Sequence, residues 1–149
     1  MDDKRENIYV IPPTTVADLA LFFKEKLNLK RPFIVGNPEM QCSEIALLLG
    51  AWGGRNQIGM LSKDQFDVMV VGEVAEWETS EYIRDATFAG MNRSLIILGH
   101  AVSEEPGMNY LVDWLKPKIS NVHIHHIPAQ DPFIISIGIK LSLGPSLAF

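Results

Sequence analysis

The stretch SLIILGHAVSEEPGM, residues 94–108, decides the fold that we expect. It opens with a short apolar run, 94–98, which ends at Gly99. A short apolar run bounded by a polar residue and a glycine predicts a buried strand. In open α/β sheets, ligands gather at the carboxyl ends of the strands. The stretch therefore predicts that His100 and Glu104 lie where such sheets carry their chemistry.

A helix is predicted after this strand, over residues 104–115. Ser103 suits its N-cap, and Glu104 and Glu105 would then lie at the positive end of the helix dipole. Pro106 would fall in the first turn, where a missing N–H costs little. The same pattern is typical of an ordinary helix start, and a zinc site needs three or four ligands. On spacing alone, a metal site and a plain helix start both stay open.

Strands and helices alternate along the rest of the chain. Apolar runs predict strands over residues 8–11, 32–36, 44–49, 67–72, 94–98 and 122–127. Helical periodicity predicts a helix after Thr15 and further helices over residues 55–61, 79–89 and 104–115. Pro12-Pro13 would stop the first strand, and the run 44–49 is favoured as a strand over a helix because glycines follow it. The pattern predicts a single α/β domain over residues 1–149, with a mostly parallel sheet and flanking helices.

Two of these helices carry apolar faces that we expect to point into the core. In the first helix, which Thr15 caps with Asp18 in a weak capping box, the face consists of Val16, Leu19, Ala20, Phe23 and Leu27. In the last helix, the expected inward face consists of Tyr110, Leu111, Trp114 and Leu115.

A glycine-rich loop, residues 50–54, lies between a predicted strand and a predicted helix. Such a loop can present backbone N–H groups to a phosphate. This one matches neither the Walker A nor the Rossmann pattern. A tight turn with close backbone approach also explains the glycines, and we favour that interpretation.

Histidines are concentrated in the segment 122–127. His123 and His125 would share one face if this segment is a strand, and they could bind a metal there. Two imidazoles without a carboxylate are few ligands, so an exposed strand edge with polar side chains is the commoner reason for this pattern.

Composition limits the function classes. The 149 residues carry a net charge of −5, which disfavours a nucleic-acid partner bound through phosphates. The single cysteine, Cys42, indicates a reducing compartment. The charged start of the sequence is not typical of a secretory signal, and no stretch is long enough for a membrane span. We therefore expect a cytoplasmic protein with no membrane partner.

Several stretches together resemble one protein family. They are residues 35–39, 50–54, 67–74, 76–77, 84–86, 99–104, 114–115 and 127–133. In this order, over roughly residues 10 to 133, they are similar to the Nif-three-like family of dinuclear-metal-centre proteins, often named GTP cyclohydrolase 1 type 2 homologues. No single stretch is specific, whereas the ordered set is.

The resemblance implies half of the Nif-three-like fold and a site with two metal ions, held by both halves of a longer chain. His100 and Glu104 match the family's Gly-His-x-x-x-Glu motif and are the implied metal ligands. Zinc, manganese or iron suits this donor set. Glu73 is the acid that could move a proton if the site is hydrolytic. The family's paired histidines are not found before residue 120, so this chain resembles the C-terminal half, and the divalent metal need not be bound by this chain alone.

Two functional hypotheses follow from the resemblance. The first is a metal-binding domain with hydrolase ancestry and an incomplete site, whose substrate the sequence does not identify. The second is a non-catalytic interaction or regulatory module, because the family is also named for binding a transcription-associated protein. In both cases we expect a homo-oligomer that buries exposed apolar surface, including the apolar tail 134–149, which is assigned to no predicted element.

Overall fold

The computed structural model describes residues 7–63 and 66–134, so residues 135–149 of the predicted apolar tail lie outside the described part. The strands are β1 (Ile8–Thr15), β2 (Phe33–Val35), β3 (Gln41–Leu48), β4 (Val68–Val71) and β5 (Ser94–Ile97). The helices are α1 (Val16–Lys26), α2 (Gly54–Lys63), α3 (Glu81–Phe88) and α4 (His100–Leu115), and a π-helical turn, Glu76–Ser80, precedes α3.

The five strands form one sheet in the order β1-β3-β4-β5-β2. The central strands β3, β4 and β5 are parallel, whereas β1 and β2 pair antiparallel at the two edges. The predicted α/β class is confirmed, but the sheet is mixed rather than mostly parallel. The connection from β2 to β3, residues 36–40, is too short for the crossover of a dozen or more residues that parallel strands need.

The strand β1 is longer than predicted, because it continues through Pro12-Pro13 to Thr15. Its pairing with β3 is irregular between Val10 and Thr14, where the prolines lie. Proline donates no hydrogen bond, and an edge strand tolerates this loss where a central strand does not.

Helices cover both faces of the sheet. On one face, α1 packs Val16, Leu19 and Ala20 into a buried cluster with Ile45, Val68, Val70 and Ile96. On the other face, Leu61 of α2 and Ile83 of α3 pack into a second buried cluster with Leu48, Met69, Val71 and Leu95. Such two-sided burial explains why the central strands read as nearly continuous apolar runs.

The start of α1 agrees with the prediction. The backbone N–H of Asp18 donates to Oγ1 of Thr15 at 3.0 Å, so Thr15 is the N-cap. Of the predicted apolar face, Val16, Leu19 and Ala20 are buried, while Phe23 and Leu27 are partly buried against the same cluster.

The start of α4 differs from the prediction. The helix begins at His100, directly after β5, and Ser103 lies inside its first turn instead of capping it. Gly99 has a φ of +102°, a conformation that glycine adopts readily, and this allows the chain to turn from strand to helix within two residues, Leu98 and Gly99. Pro106 consequently lies inside the helix rather than in its first turn.

The predicted inward face of α4 is wrong. Tyr110 is 69% exposed and Trp114 is 49% exposed, and Ser103 is the only buried residue of the helix. An apolar helical stripe shows that burial would be favourable, but it does not supply a neighbouring element to pack against.

None of the helices in the described residues is both long and apolar enough to cross a membrane.

The predicted strand 122–127 is not formed either. In the described part of the chain, β1 and β2 are the edge strands of the sheet, and residues 122–127 pair with neither of them. The segment instead contacts α4, where Nε2 of His126 lies 2.9 Å from Oε1 of Glu105.

Candidate metal site

The carboxyl ends of the three parallel strands, β3, β4 and β5, lie side by side at the same end of the sheet. Gly50 follows β3, Glu73 follows β4 and His100 follows β5. The N–H of Glu73 donates to the carbonyl of Gly50 at 3.2 Å, and the N–H of Gly99 donates to the carbonyl of Gly72 at 2.8 Å. The backbone thus brings together three segments that are far apart in the sequence.

His100 lies between two carboxylates. Its Nδ1 atom is 3.0 Å from Oε2 of Glu73, and its Nε2 atom is 3.2 Å from Oε2 of Glu104. The three side chains are each about half exposed. His100, Glu104 and Glu73, the three residues that the sequence indicated, therefore lie together at the carboxyl ends of the parallel strands.

The two carboxylates raise the pKa of His100 above its ordinary value of 6.5. The largest cause is the hydrogen bond with Glu73, which favours the charged imidazolium. Desolvation opposes it, whereas the negative charges of Glu104 and Glu73 add to it.

Gly50 leaves room for the carboxylate of Glu104. Its φ is +73°, and a Cβ atom at this position would collide with Oε1 of Glu104. At the other end of the loop, a Cβ on Gly54 would collide with the carboxylate of Glu78. The close approach of these two side chains therefore explains why positions 50 and 54 are glycines. The negative charges of the same two carboxylates disfavour a phosphate bound at this loop.

Ser103 joins the glycine loop to α4. Its buried hydroxyl donates to the carbonyl of His100 at 2.7 Å and accepts a hydrogen bond from the N–H of Gly50 at 2.9 Å. This contact fixes the loop beside the first turn of the helix, on which both His100 and Glu104 lie.

Gln57 is a site-supporting residue that the sequence reasoning missed. It is fully buried on α2, where its Nε2 donates to the carbonyl of Glu73 at 2.9 Å and its Oε1 accepts from the hydroxyl of Thr79 at 2.6 Å. Its position four residues before the buried Leu61, on the same helix face, was the available signal. A glutamine on a buried face needs partners, and these partners hold the turn that carries Glu73.

His100 and Glu104 meet part of what a divalent ion requires. Ligand atoms lie about 2.0–2.2 Å from zinc, so two atoms 3.2 Å apart, such as Nε2 of His100 and Oε2 of Glu104, can share one ion. Glu73 lies on the other ring nitrogen, where a carboxylate orients many metal-binding histidines. Across residues 7–63 and 66–134, no group of three or more histidine, cysteine or acidic side chains is arranged to hold a metal ion. The pair His100 and Glu104 therefore fits part of a metal site.

The sequence matches a known protein family. The family described as Duf34/NIF3 (NGG1p interacting factor 3) matches residues 7–132. No protein with a curated description matches the sequence.

Several solved structures share the fold. A Bacillus cereus protein related to NIF3 is 23% identical with a TM-score of 0.65, over 86% of this chain and 35% of its own. A Staphylococcus aureus hypothetical protein is 22% identical with a TM-score of 0.62, over 86% of this chain and 42% of its own. A Thermus thermophilus protein is 17% identical with a TM-score of 0.52, over 75% and 41%. This chain thus spans less than half the length of these proteins.

Proposed function

Because this chain belongs to the Duf34/NIF3 family, we propose that it supplies two ligands, His100 and Glu104, to a divalent metal centre. The supporting observation is the placement of His100 between two carboxylates, with Nε2 towards Glu104 and Nδ1 towards Glu73. In this arrangement the carboxylate of Glu73 accepts a hydrogen bond from the Nδ1–H of His100, and the Nε2 lone pair is directed towards the side where an ion would bind. Zinc, manganese and iron all accept one imidazole and one carboxylate.

The remaining ligands come from beyond this pair. Two protein ligands leave most of a coordination shell open, and the related structures are more than twice as long as the matched part. A bound metal of this kind lowers the pKa of a coordinated water. In the proposed site Glu73 both orients His100 and, through its half-exposed carboxylate, holds or moves a proton. We expect the chain alone to be a poor catalyst, because the shell that it provides is incomplete.

The test is the binding of Zn²⁺ and Mn²⁺ to the purified chain, measured by calorimetry and elemental analysis. His100→Ala and Glu104→Gln should each abolish stoichiometric binding, while Glu81→Gln, which changes an exposed acid on α3, should leave it unchanged. Equal metal content in the wild type and in His100→Ala would contradict the proposal.

A second candidate function is an interaction module that associates with another copy of itself. It is favoured by the outer face of α4, where Tyr110 and Trp114 are each about half exposed or more and Leu111 is also exposed. Apolar patches of this kind mark interfaces. Light scattering at micromolar concentration should then give an oligomer that Trp114→Glu dissociates, and a wild-type monomer would contradict this candidate.

For either function we propose a cytosolic location, since Cys42 is unpaired.

A further inference from the structure

Residues 120–134, which we call the return segment, fold back across the first half of α4. The whole segment lies in the described part of the chain and forms neither a helix nor a strand. Four of its large apolar side chains are mostly exposed, namely Val122, Ile127, Phe133 and Ile134. Burial of these side chains therefore contributes little to holding the segment against the domain, so its polar contacts matter most.

Glu105 on α4 contacts the return segment with both of its carboxylate oxygens. Oε1 lies 2.9 Å from Nε2 of His126, and Oε2 accepts a hydrogen bond from the N–H of Ala129 at 3.4 Å. The side chains of Glu105 and His126 are largely buried, so solvent screens their contact little. One carboxylate thus holds the segment at two positions that are three residues apart.

A second attachment lies at the far end of the segment. Nζ of Lys30 donates to the carbonyl of Phe133 at 2.6 Å and lies 4.0 Å from the carboxylate of Asp131. The side chain of Lys30 is about half exposed, and contacts of this kind contribute little to stability. Glu105 is therefore the stronger of the two attachments.

A groove of about 540 Å³ lies between α4 and the return segment. His100 and Glu104 line it on the side of the helix, whereas Ile124 and Ile127 line it on the side of the segment. Glu105 follows Glu104 directly in the sequence. The segment that Glu105 holds is therefore one wall of the groove in which the candidate ligands lie.

We infer that the return segment is a strap that opens and closes over this groove, with Glu105 as its clasp. Segments that bury few apolar contacts open with free energies well below that of global unfolding. Opening breaks the two contacts of Glu105 and removes one wall of the groove. His100 and Glu104 keep their places, because the bond between Ser103 and Gly50 holds the first turn of α4 against the glycine loop. The strap goes beyond the proposed function, and only its control of metal entry rests on that function.

Amide hydrogen exchange of the metal-free chain tests the clasp. Glu105→Ala should speed exchange in residues 124–131 by about tenfold or more, because it removes contacts to a charged group, and should leave exchange in β4 unchanged. Asp113→Ala is the matched control, since Asp113 is an exposed acid on the same helix whose carboxylate contacts Lys116. Its exchange should match that of the wild type.

A second variant separates the clasp from the helix that carries it. His126→Ala leaves α4 unaltered and should speed exchange in the same residues. Unchanged exchange in His126→Ala, or an equal increase in Glu105→Ala and Asp113→Ala, would overturn the clasp.

The kinetics of Co²⁺ binding, followed by stopped-flow absorption, test what the strap does to the groove. A strap that controls access alone changes the association and dissociation rates by the same factor. Glu105→Ala should therefore raise both rates and leave Kd unchanged. Faster exchange with both rates unaltered would overturn the control of access, and a change in Kd without faster association would overturn it as well.

These outcomes separate the strap from the proposed function. If the wild type binds no Co²⁺, or His100→Ala binds it as well as the wild type, the proposed metal site is wrong and control of metal entry fails with it. The exchange measurement still decides in that case whether Glu105 clasps the return segment.

Discussion

The carboxylate of Glu104 occupies the space beside Gly50 that any larger residue at that position would fill. The glycine follows β3 and the glutamate lies on α4, so this contact joins two elements at the candidate site. It also gives the glycine loop a structural purpose that requires no bound phosphate.

Replacing Gly50 by alanine should therefore displace the Glu104 carboxylate. The φ of +73° costs about 1–2 kcal/mol for a residue with a Cβ, and the collision should add little to this cost, because it meets the end of a flexible, half-exposed side chain. Gly53→Ala is the matched control, since Gly53 has a φ of +74° and nothing near its Cβ position. Urea unfolding should show similar losses for the two variants, whereas Zn²⁺ binding should weaken only in Gly50→Ala, and equal Zn²⁺ binding in both would mean that Glu104 does not pack on the loop.

Ser103→Ala should lower the free energy of unfolding by about 1–3 kcal/mol, because the buried N–H of Gly50 loses its acceptor. Ser62→Ala provides the comparison. Ser62 also bonds a carbonyl in the preceding turn of its own helix, but it is exposed. Its replacement should change stability by less than about 0.5 kcal/mol. A neutral Ser103→Ala would contradict the contact between the loop and α4.

In the metal-free protein, the imidazole of His100 should titrate above its ordinary pKa of 6.5. Since the folded pKa of His100 is raised above the unfolded one, its stabilising contribution is complete below about pH 6.5 and is lost as the pH rises through the folded pKa. Glu73→Gln should lower the NMR titration midpoint of His100 more than Glu104→Gln does, because the Glu73 hydrogen bond is the largest cause. An unchanged midpoint in Glu73→Gln would contradict this contact.

Trp114→Ala should cost less than about 1 kcal/mol in the monomer, as is usual for an exposed position. A buried aromatic residue would cost about 3–5 kcal/mol, and Phe66→Ala, at a side chain only 1% exposed, should approach that range. The comparison requires urea unfolding at concentrations where light scattering shows a monomer. A large loss for Trp114→Ala under those conditions would mean that the helix packs inward after all.

The central layer of this fold could be predicted from the sequence because its signals are local. The apolar runs that form β3, β4 and β5 contain their own evidence of burial, and Thr15 caps α1 through a residue three positions away. The outward face of α4 could not be predicted in this way, since apolar residues do not indicate which element, if any, lies opposite them.

The candidate site was predictable in its residues but not in its contacts. The position of His100 after a buried strand, together with the family motif, indicated His100, Glu104 and Glu73. The distance between His100 and Glu73 depends on the adjacency of β4 and β5, which is a property of the strand order. Gln57 was missed because a polar residue on a helix is usually exposed, and its partners Glu73 and Thr79 lie 16 and 22 residues away.

In the proposed site, Nε2 of His100 and a carboxylate oxygen of Glu104 share a divalent ion. The most direct measurement is anomalous diffraction at the zinc absorption edge, from crystals of the chain grown with Zn²⁺. We expect an anomalous peak between these two side chains, at bonding distance from both, and no such peak in crystals of His100→Ala. Zinc bound elsewhere, with no peak at His100 and Glu104, would contradict it.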